Sequence, residues 1–443
     1  MKLATRHLAL FAAPSIPIAA LGMPLVIYLP PFYAEDLGLG LSIVGTVFMI
    51  TRLWDVATDV MLGAVADRAR TRWGRRRPLI VAAVPILLLC VWRVFLPPEE
   101  VSWLYLLVWL VLLYVGWTML TISHMAWGAE LSDDYHVRSR LQGWRQGGLL
   151  FGMVLVLALP SWIEQRIGGG GATRAGAIGW FILALLPITV AAATLGVGER
   201  AIAPQTGEPV GMLRAFRLAI TNRFMLRVLA ADLGAGLAAG VTASLYIFFV
   251  EHALDMDRWT SLFLLTYFVA GLLSVPMWVR ISYRLGKHTT FAVAMLYMAA
   301  VLPFVLLLGP GDPVWAVVGA YVIYGLGYGA APVLLKSIIA DVTDHDALRS
   351  GTRRAGLFYS LLAMTNKLGF ALSVGVAYPL LDLVGFDPQA ENSPEAILGL
   401  RLVYVIVPAA SLLAAAAAMW RFPLDEKLQR ELRAEVAARE AQS

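Results

Sequence analysis

Cysteine is all but absent: Cys90 is the only one in 443 residues, and it stands in an apolar run. No intrachain disulfide can form, so a disulfide scaffold, dithiol redox chemistry and a cysteine-ligated structural metal are excluded. Charge is scarce too. Asp, Glu, Lys and Arg make up 15% of the chain, against about 25% in a soluble protein. The six histidines show no metal-ligand spacing, no glycine-rich loop suits a phosphate, and no nucleophile elbow is present. An enzyme reading has no residues to stand on, and no cofactor is expected. The net charge of +5 is spread through short loops, which marks membrane topology and not a nucleic-acid footprint.

Apolar sequence is what the chain has in excess: 59% of residues are hydrophobic and the mean hydropathy is +0.72. Twelve runs of about 20 apolar residues lie between residues 8 and 420. They predict an all-α protein embedded in the lipid bilayer. The first run is too long for a signal-peptide core and reads as a span. The loops alternate in charge: Arg68 to Arg77, Arg138 with Arg140, Arg284 with Lys287, and Arg349 with Arg353 and Arg354 fall on one side. Glu35 and Asp36, Glu99 and Glu100, and Glu251 to Asp257 fall on the other. Basic loops face the cytoplasm, so both termini are expected there, in a bacterial inner membrane. The expected organisation is an N-terminal six-helix bundle over 1–197, a polar linker over 198–222, a second six-helix bundle over 223–420 and a charged tail over 421–443.

Residues 51–78 interrupt this pattern. Arg52, Asp55 and Asp59 stand inside an apolar run at spacings that put all three on one helical face. An ionised group at bilayer depth costs roughly 2.5–3.5 kcal/mol on insertion scales. Two carboxylates one turn apart repel unless a cation or proton lies between them, which predicts a site for a monovalent cation (Na+ or H+) beside a balancing arginine. A structural Arg–Asp pair would not need the second carboxylate.

Gly63, Asp67, Arg68 and the run Gly74-Arg-Arg-Arg-Pro78 resemble the loop between the second and third helices of the major facilitator superfamily. Arg52-x-Trp54-Asp55-x-x-x-Asp59 is more specific and resembles the melibiose-permease family of glycoside–pentoside–hexuronide:cation symporters. The resemblance runs over nearly the whole chain and implies the major facilitator fold of two six-helix bundles. It also implies alternating access with a small-molecule substrate bound between the bundles, most simply a sugar or glycoside, moved by a monomer. In that family a threonine and an acidic residue of the fourth helix complete the cation site. Thr121 matches the first, and His124 stands where many members carry Asp or Asn. Asn366-Lys367-x-Gly369 matches the family's helix-eleven lysine, so Lys367 joins Arg52 in balancing the acids. Arg145, with Gln146, falls at a sugar-contacting arginine of the family. The helix-one aspartate of galactoside binders is replaced by Ile18-Ala-Ala-Leu21, which opens a second reading, a carrier of lysophospholipids or other amphiphiles.

The halves repeat. Ala129-Glu130-Leu-Ser-Asp133 with Arg138 recurs as Ala340-Asp341-Val-Thr-Asp344 with Arg349 at one constant offset. Asp67, Arg75, Glu130, Arg138, Asp341 and Arg349 are therefore expected at the gate, with Arg138 and Arg349 pairing acids of the opposite half or an adjacent helix. Further substrate contacts are expected from Tyr28 at the aromatic end of the first span, from Trp127, and from Tyr324 and Tyr328, which step along one helical face with Tyr321. A reading of another class, a membrane receptor or assembly factor that carries nothing, would have no use for Asp55, Asp59 and Lys367 in the membrane.

Overall fold

The computed structural model describes residues 5–68, 71, 73–131, 135–167, 170–199, 221–350 and 355–423. Among the described residues the regular elements are helices, with one isolated bridge between Thr71 and Gly74. Among the described residues twelve helices are long and apolar enough to cross a membrane, as the run count predicts. They are Thr5–Ile27, Leu41–Asp59, Arg77–Phe95, Trp103–Gly128, Arg140–Arg166, Gly171–Gly196, Arg223–Ala253, Asp257–Leu285, Lys287–Leu307, Val314–Thr343, Phe358–Leu383 and Pro394–Met419, the first to twelfth spans below.

The chain forms two compact units. The first comprises Met1–Thr206, Ala243–Leu265 and Val374–Leu400; the second comprises Gly207–Thr242, Thr266–Ser373 and Arg401–Ser443.

In the first unit, proline shapes the first span. The helix is cut into Thr5–Ala12, Ser15–Gly22, Pro24–Ile27 and Leu29–Ala34, because each proline lacks an N–H and crowds the preceding turn. The irregular helix is held by close packing on the fifth span. A Cβ at Gly148 would lie 2.8 Å from the Ala12 carbonyl oxygen, and one at Gly152 would run into the Ile16 backbone. Two small residues four apart let the backbones touch, which is how helices associate where no water drives them together.

At one end of this unit a buried charge cluster binds five stretches of chain. Arg174 donates to Glu164 at 2.6 Å and pairs with Glu251 at 2.5 Å; Arg174 and Glu164 are 2% and 0% exposed. The Ser261 hydroxyl and backbone N–H donate to Glu164 at 2.8 and 3.1 Å, and Tyr28 donates to the Ser261 hydroxyl at 3.1 Å. Arg174 is paired with both acids, and Glu164 accepts hydrogen bonds from Arg174 and Ser261, which makes its burial tolerable.

The second unit has an aromatic centre. Tyr324 stacks on Tyr267 at 5.5 Å, Tyr328 packs against Tyr267 at 5.4 Å and Phe268 at 5.3 Å, and Tyr404 and Tyr321 adjoin the same group. Glycines bring the eighth and tenth spans together here: a Cβ at Gly271 would meet the Gly325 carbonyl oxygen at 3.1 Å.

Gly152→Val should separate the first and fifth spans and cost about 1–3 kcal/mol through overpacking. A Cβ at Gly147, on the same helix, meets nothing within 4 Å, so Gly147→Val is the control. Thermal unfolding of the two variants in one detergent should show a fall for the first alone.

Candidate functional site

The second span presents its ionisable residues as the spacing predicts. Asp55 is 0% exposed, Arg52 is 7% exposed, and Asp59 is half-buried. The helix removes competing hydroxyls from the site: Thr51 donates back to the Phe48 carbonyl and Thr58 to the Asp55 carbonyl, both at 3.0 Å.

The two carboxylates converge on one atom of the fourth span. Thr118 Oγ1 lies 3.0 Å from Asp55 Oδ1 and 3.1 Å from Asp59 Oδ1. These distances put the two carboxylate oxygens within roughly 6 Å of each other. A hydroxyl has one proton to donate. It can serve one carboxylate at a time, while its lone pairs face whatever sits between the acids. Two carboxylates and a hydroxyl are hard oxygen ligands suited to Na+, and a proton on either acid would also relieve their repulsion. The Arg52 guanidinium sits over the Tyr114 ring at 5.2 Å, a cation–π contact that holds the positive charge one turn from Asp55.

The hydroxyl at the acids is that of Thr118, where the family resemblance pointed to Thr121. Thr121 donates back to the Trp117 carbonyl at 2.8 Å and shares a second contact with the Thr118 carbonyl at 3.3 Å. His124 is fully buried, its Nε2 lies 2.7 Å from the Phe11 carbonyl oxygen, and its ring stacks on Phe11 at 4.6 Å. That carbonyl accepts from an N–H, which fixes the proton on Nε2. The histidine fastens the first span to the fourth. Trp127 packs edge-on to the same Phe11 at 5.6 Å. Thr118 stands three residues before Thr121 on the same helix, and nothing local in the sequence distinguishes the two.

The remaining expected residues are divided between the two units. Lys367, Tyr324 and Tyr328 belong to the second unit, and the two tyrosines lie in its aromatic centre. Tyr28 is committed to the Glu164–Arg174 cluster. Arg145 is half-buried and within electrostatic reach of His124, and Gln146 is exposed. Beside them, between the first and fifth spans, is a cavity of about 490 Å³ lined by small residues with Ile16, Trp144 and Phe151.

Among the gate residues, Arg76 holds Glu130 through Nε at 3.1 Å to each carboxylate oxygen and Nη2 at 2.6 Å; Arg75 stands 3.8 Å from Glu130. In the second unit Lys287 Nζ donates to Asp341 at 2.6 Å. The offset that carries Glu130 onto Asp341 also carries Arg76 onto Lys287. Each repeat thus closes the acid at the end of one span against the start of the span before it, and the repeat offset relates the two pairs. Glu199 reinforces this end of the first unit by accepting from the Arg75, Arg76 and Arg77 backbone N–H groups at 2.6, 2.7 and 3.2 Å. Gly74, at φ +114°, leaves room for that carboxylate. The side chains of Asp67, Arg138 and Arg349 lie outside the described residues.

Thr118→Ala should weaken cation-dependent stabilisation of the purified protein by about tenfold in apparent affinity, the scale of one hydrogen bond to a charged group. Thr121→Ala should leave it unchanged. Thermal melts titrated with sodium at fixed pH distinguish the two.

Comparison with known proteins gives a consistent picture. A family model described as MFS/sugar transport protein matches residues 10–426. The glucuronide carrier protein homolog of Escherichia coli K12 is 24% identical over 420 residues, covering 93% of this chain and 90% of its own. The isoprimeverose transporter of Lactiplantibacillus pentosus is also 24% identical, over 94% of this chain and 88% of its own. Among solved structures, the nucleoside transporter NupG superposes with a TM-score of 0.67 at 17% identity, over 95% of this chain and 100% of that one.

Proposed function

The chain belongs to the MFS/sugar transport protein family of membrane transporters, and on that footing we propose that it is a cation-coupled symporter of a sugar or glycoside. The observation that carries the coupling is the convergence of Asp55 and Asp59 on the Thr118 hydroxyl inside a membrane span. A cation or proton entering between the acids neutralises them. The family's two six-helix halves then rock about the midplane with substrate between them, the cation moving down its gradient. The proposed carrier is a monomer in the bacterial inner membrane, with both termini cytoplasmic. The names of the relatives, a glucuronide carrier homolog and an isoprimeverose transporter, support a sugar-bearing substrate. Arg145, half-buried beside the cavity of the first and fifth spans, is the group we assign to its polar head.

One observation favours a second reading. The cavity lining is alanine, glycine, Ile16, Trp144 and Phe151, and the Trp144 indole N–H is the one hydrogen-bonding side-chain group among these residues. An amphiphile with an apolar tail would fit such a lining. His124 Nε2 is taken up by the Phe11 carbonyl, so the choice between Na+ and H+ falls on the carboxylate pair.

In proteoliposomes with an imposed sodium or proton gradient, wild type should accumulate a sugar, uronide or glycoside from a mixed panel. Asp55→Asn and Asp59→Asn should each abolish the gradient-dependent part, because each removes one charge of the pair. Gradient-dependent uptake surviving in both variants would overturn the coupling site. Accumulation of a lysolipid alone would favour the amphiphile reading.

A further inference from the structure

One buried acid has no part in the mechanism above. Asp232 lies in the seventh span within the second unit and is 4% exposed. Its Oδ1 accepts from the Asn366 side-chain amide at 3.4 Å, a long bond, and its Oδ2 has no hydrogen-bond partner among the described residues. The surroundings are tight. A Cβ at Gly234 would lie 2.8 Å from the Ser411 carbonyl oxygen of the twelfth span, and one at Gly369 of the eleventh span would lie 2.9 Å from the Gly236 backbone. Helices on both sides therefore approach to backbone contact within a few residues of the carboxyl.

Charged and titratable groups on these elements make contacts of their own; on the twelfth span Arg401 donates to the Leu306 carbonyl at 3.5 Å and Tyr404 adjoins Tyr321 and Tyr324. On the seventh span, Arg227 donates to the Ala418 carbonyl at 2.7 Å and to that of Trp420, and Arg223 sits over the Phe224 ring at 4.9 Å. On the eleventh span Lys367 follows Asn366 and projects about 100° round the helix from it. The twelfth span offers Ser411, whose hydroxyl donates back to Val407 at 2.8 Å. His345, just past the tenth span on the same helix, packs edge-on to Phe224 at 4.8 Å.

We infer that Asp232 is a proton-binding site in its own right, separate from the Asp55–Asp59 pair. An ionised carboxylate buried in a membrane span needs a counter-charge or several good donors, and this one has a single long amide bond. The neutral acid suits the site: its carbonyl oxygen accepts from Asn366, and no charge is carried into the Gly236–Gly369 crossing. Proton binding at Asp232 is thereby linked to the close packing of the seventh, eleventh and twelfth spans. Releasing the proton requires that packing to loosen enough to admit water. The transporter then has a pH response from its second unit whatever ion occupies the acids of the first. The inference does not depend on the coupling ion or the substrate.

Infrared difference spectroscopy on the full-length protein in nanodiscs, between about pH 5.5 and 8.5 in H2O and D2O, tests it directly. Wild type should show a protonated-carboxyl C=O band that Asp232→Asn loses and that Asp55→Asn and Asp59→Asn keep. Retention of every wild-type carboxyl band in Asp232→Asn would overturn the inference. Asn366→Val supplies a test should the first variant fail to fold. Removing the amide donor should shift the Asp232 C=O band to higher wavenumber; an unshifted spectrum means the acid is ionised and the inference is wrong.

Discussion

A charge inside a membrane must be answered by the protein, because no water is present to answer it. This constraint explains most of the polar architecture of the chain. Asp55 and Asp59 share the Thr118 hydroxyl, and the Arg52 guanidinium rests on an aromatic face. Arg174 is held between Glu164 and Glu251, and Ser261 and Tyr28 extend that network. These arrangements differ in the groups they bring together. The Arg174 cluster sets one guanidinium between two carboxylates and adds hydroxyl and backbone donors to Glu164, which suits a structural clasp. The Asp55–Asp59 pair brings two acids onto the same hydroxyl, which suits a site that takes up a positive charge between them.

The second constraint is close packing without a hydrophobic drive between helices. Glycine supplies it at Gly148 and Gly152 in the first unit and at Gly271, Gly325, Gly236 and Gly369 in the second. Where the first span is broken by proline, His124 contributes the fastening through the Phe11 carbonyl. A group that the family resemblance assigned to ion chemistry is thus placed in the assembly of the helix that flanks the site.

The repeat gives the two units a common device. Arg76 with Glu130 and Lys287 with Asp341 occupy equivalent places and close the end of one helix against the beginning of another. Each pair lies within its own unit. Breaking one would loosen a helix end locally, which makes these pairs braces for the elements that would move in a transport cycle.

Much of the fold and part of the site are legible in the amino-acid sequence. The twelve spans follow from run length, since a helix must cover the hydrocarbon thickness. The shared face of Arg52, Asp55 and Asp59 follows from a helical repeat of 3.6 residues, which is a local property of the chain. What the sequence could not decide is how each helix is rotated about its axis against its neighbours. That rotation brings Thr118 and not Thr121 to the carboxylates, turns His124 onto Phe11, commits Tyr28 to Ser261, and seats Tyr324 and Tyr328 among other tyrosines. Residues three or four apart on a helix share nearly the same face and carry the same local signal. Only the packing of side chains from distant parts of the chain chooses between them.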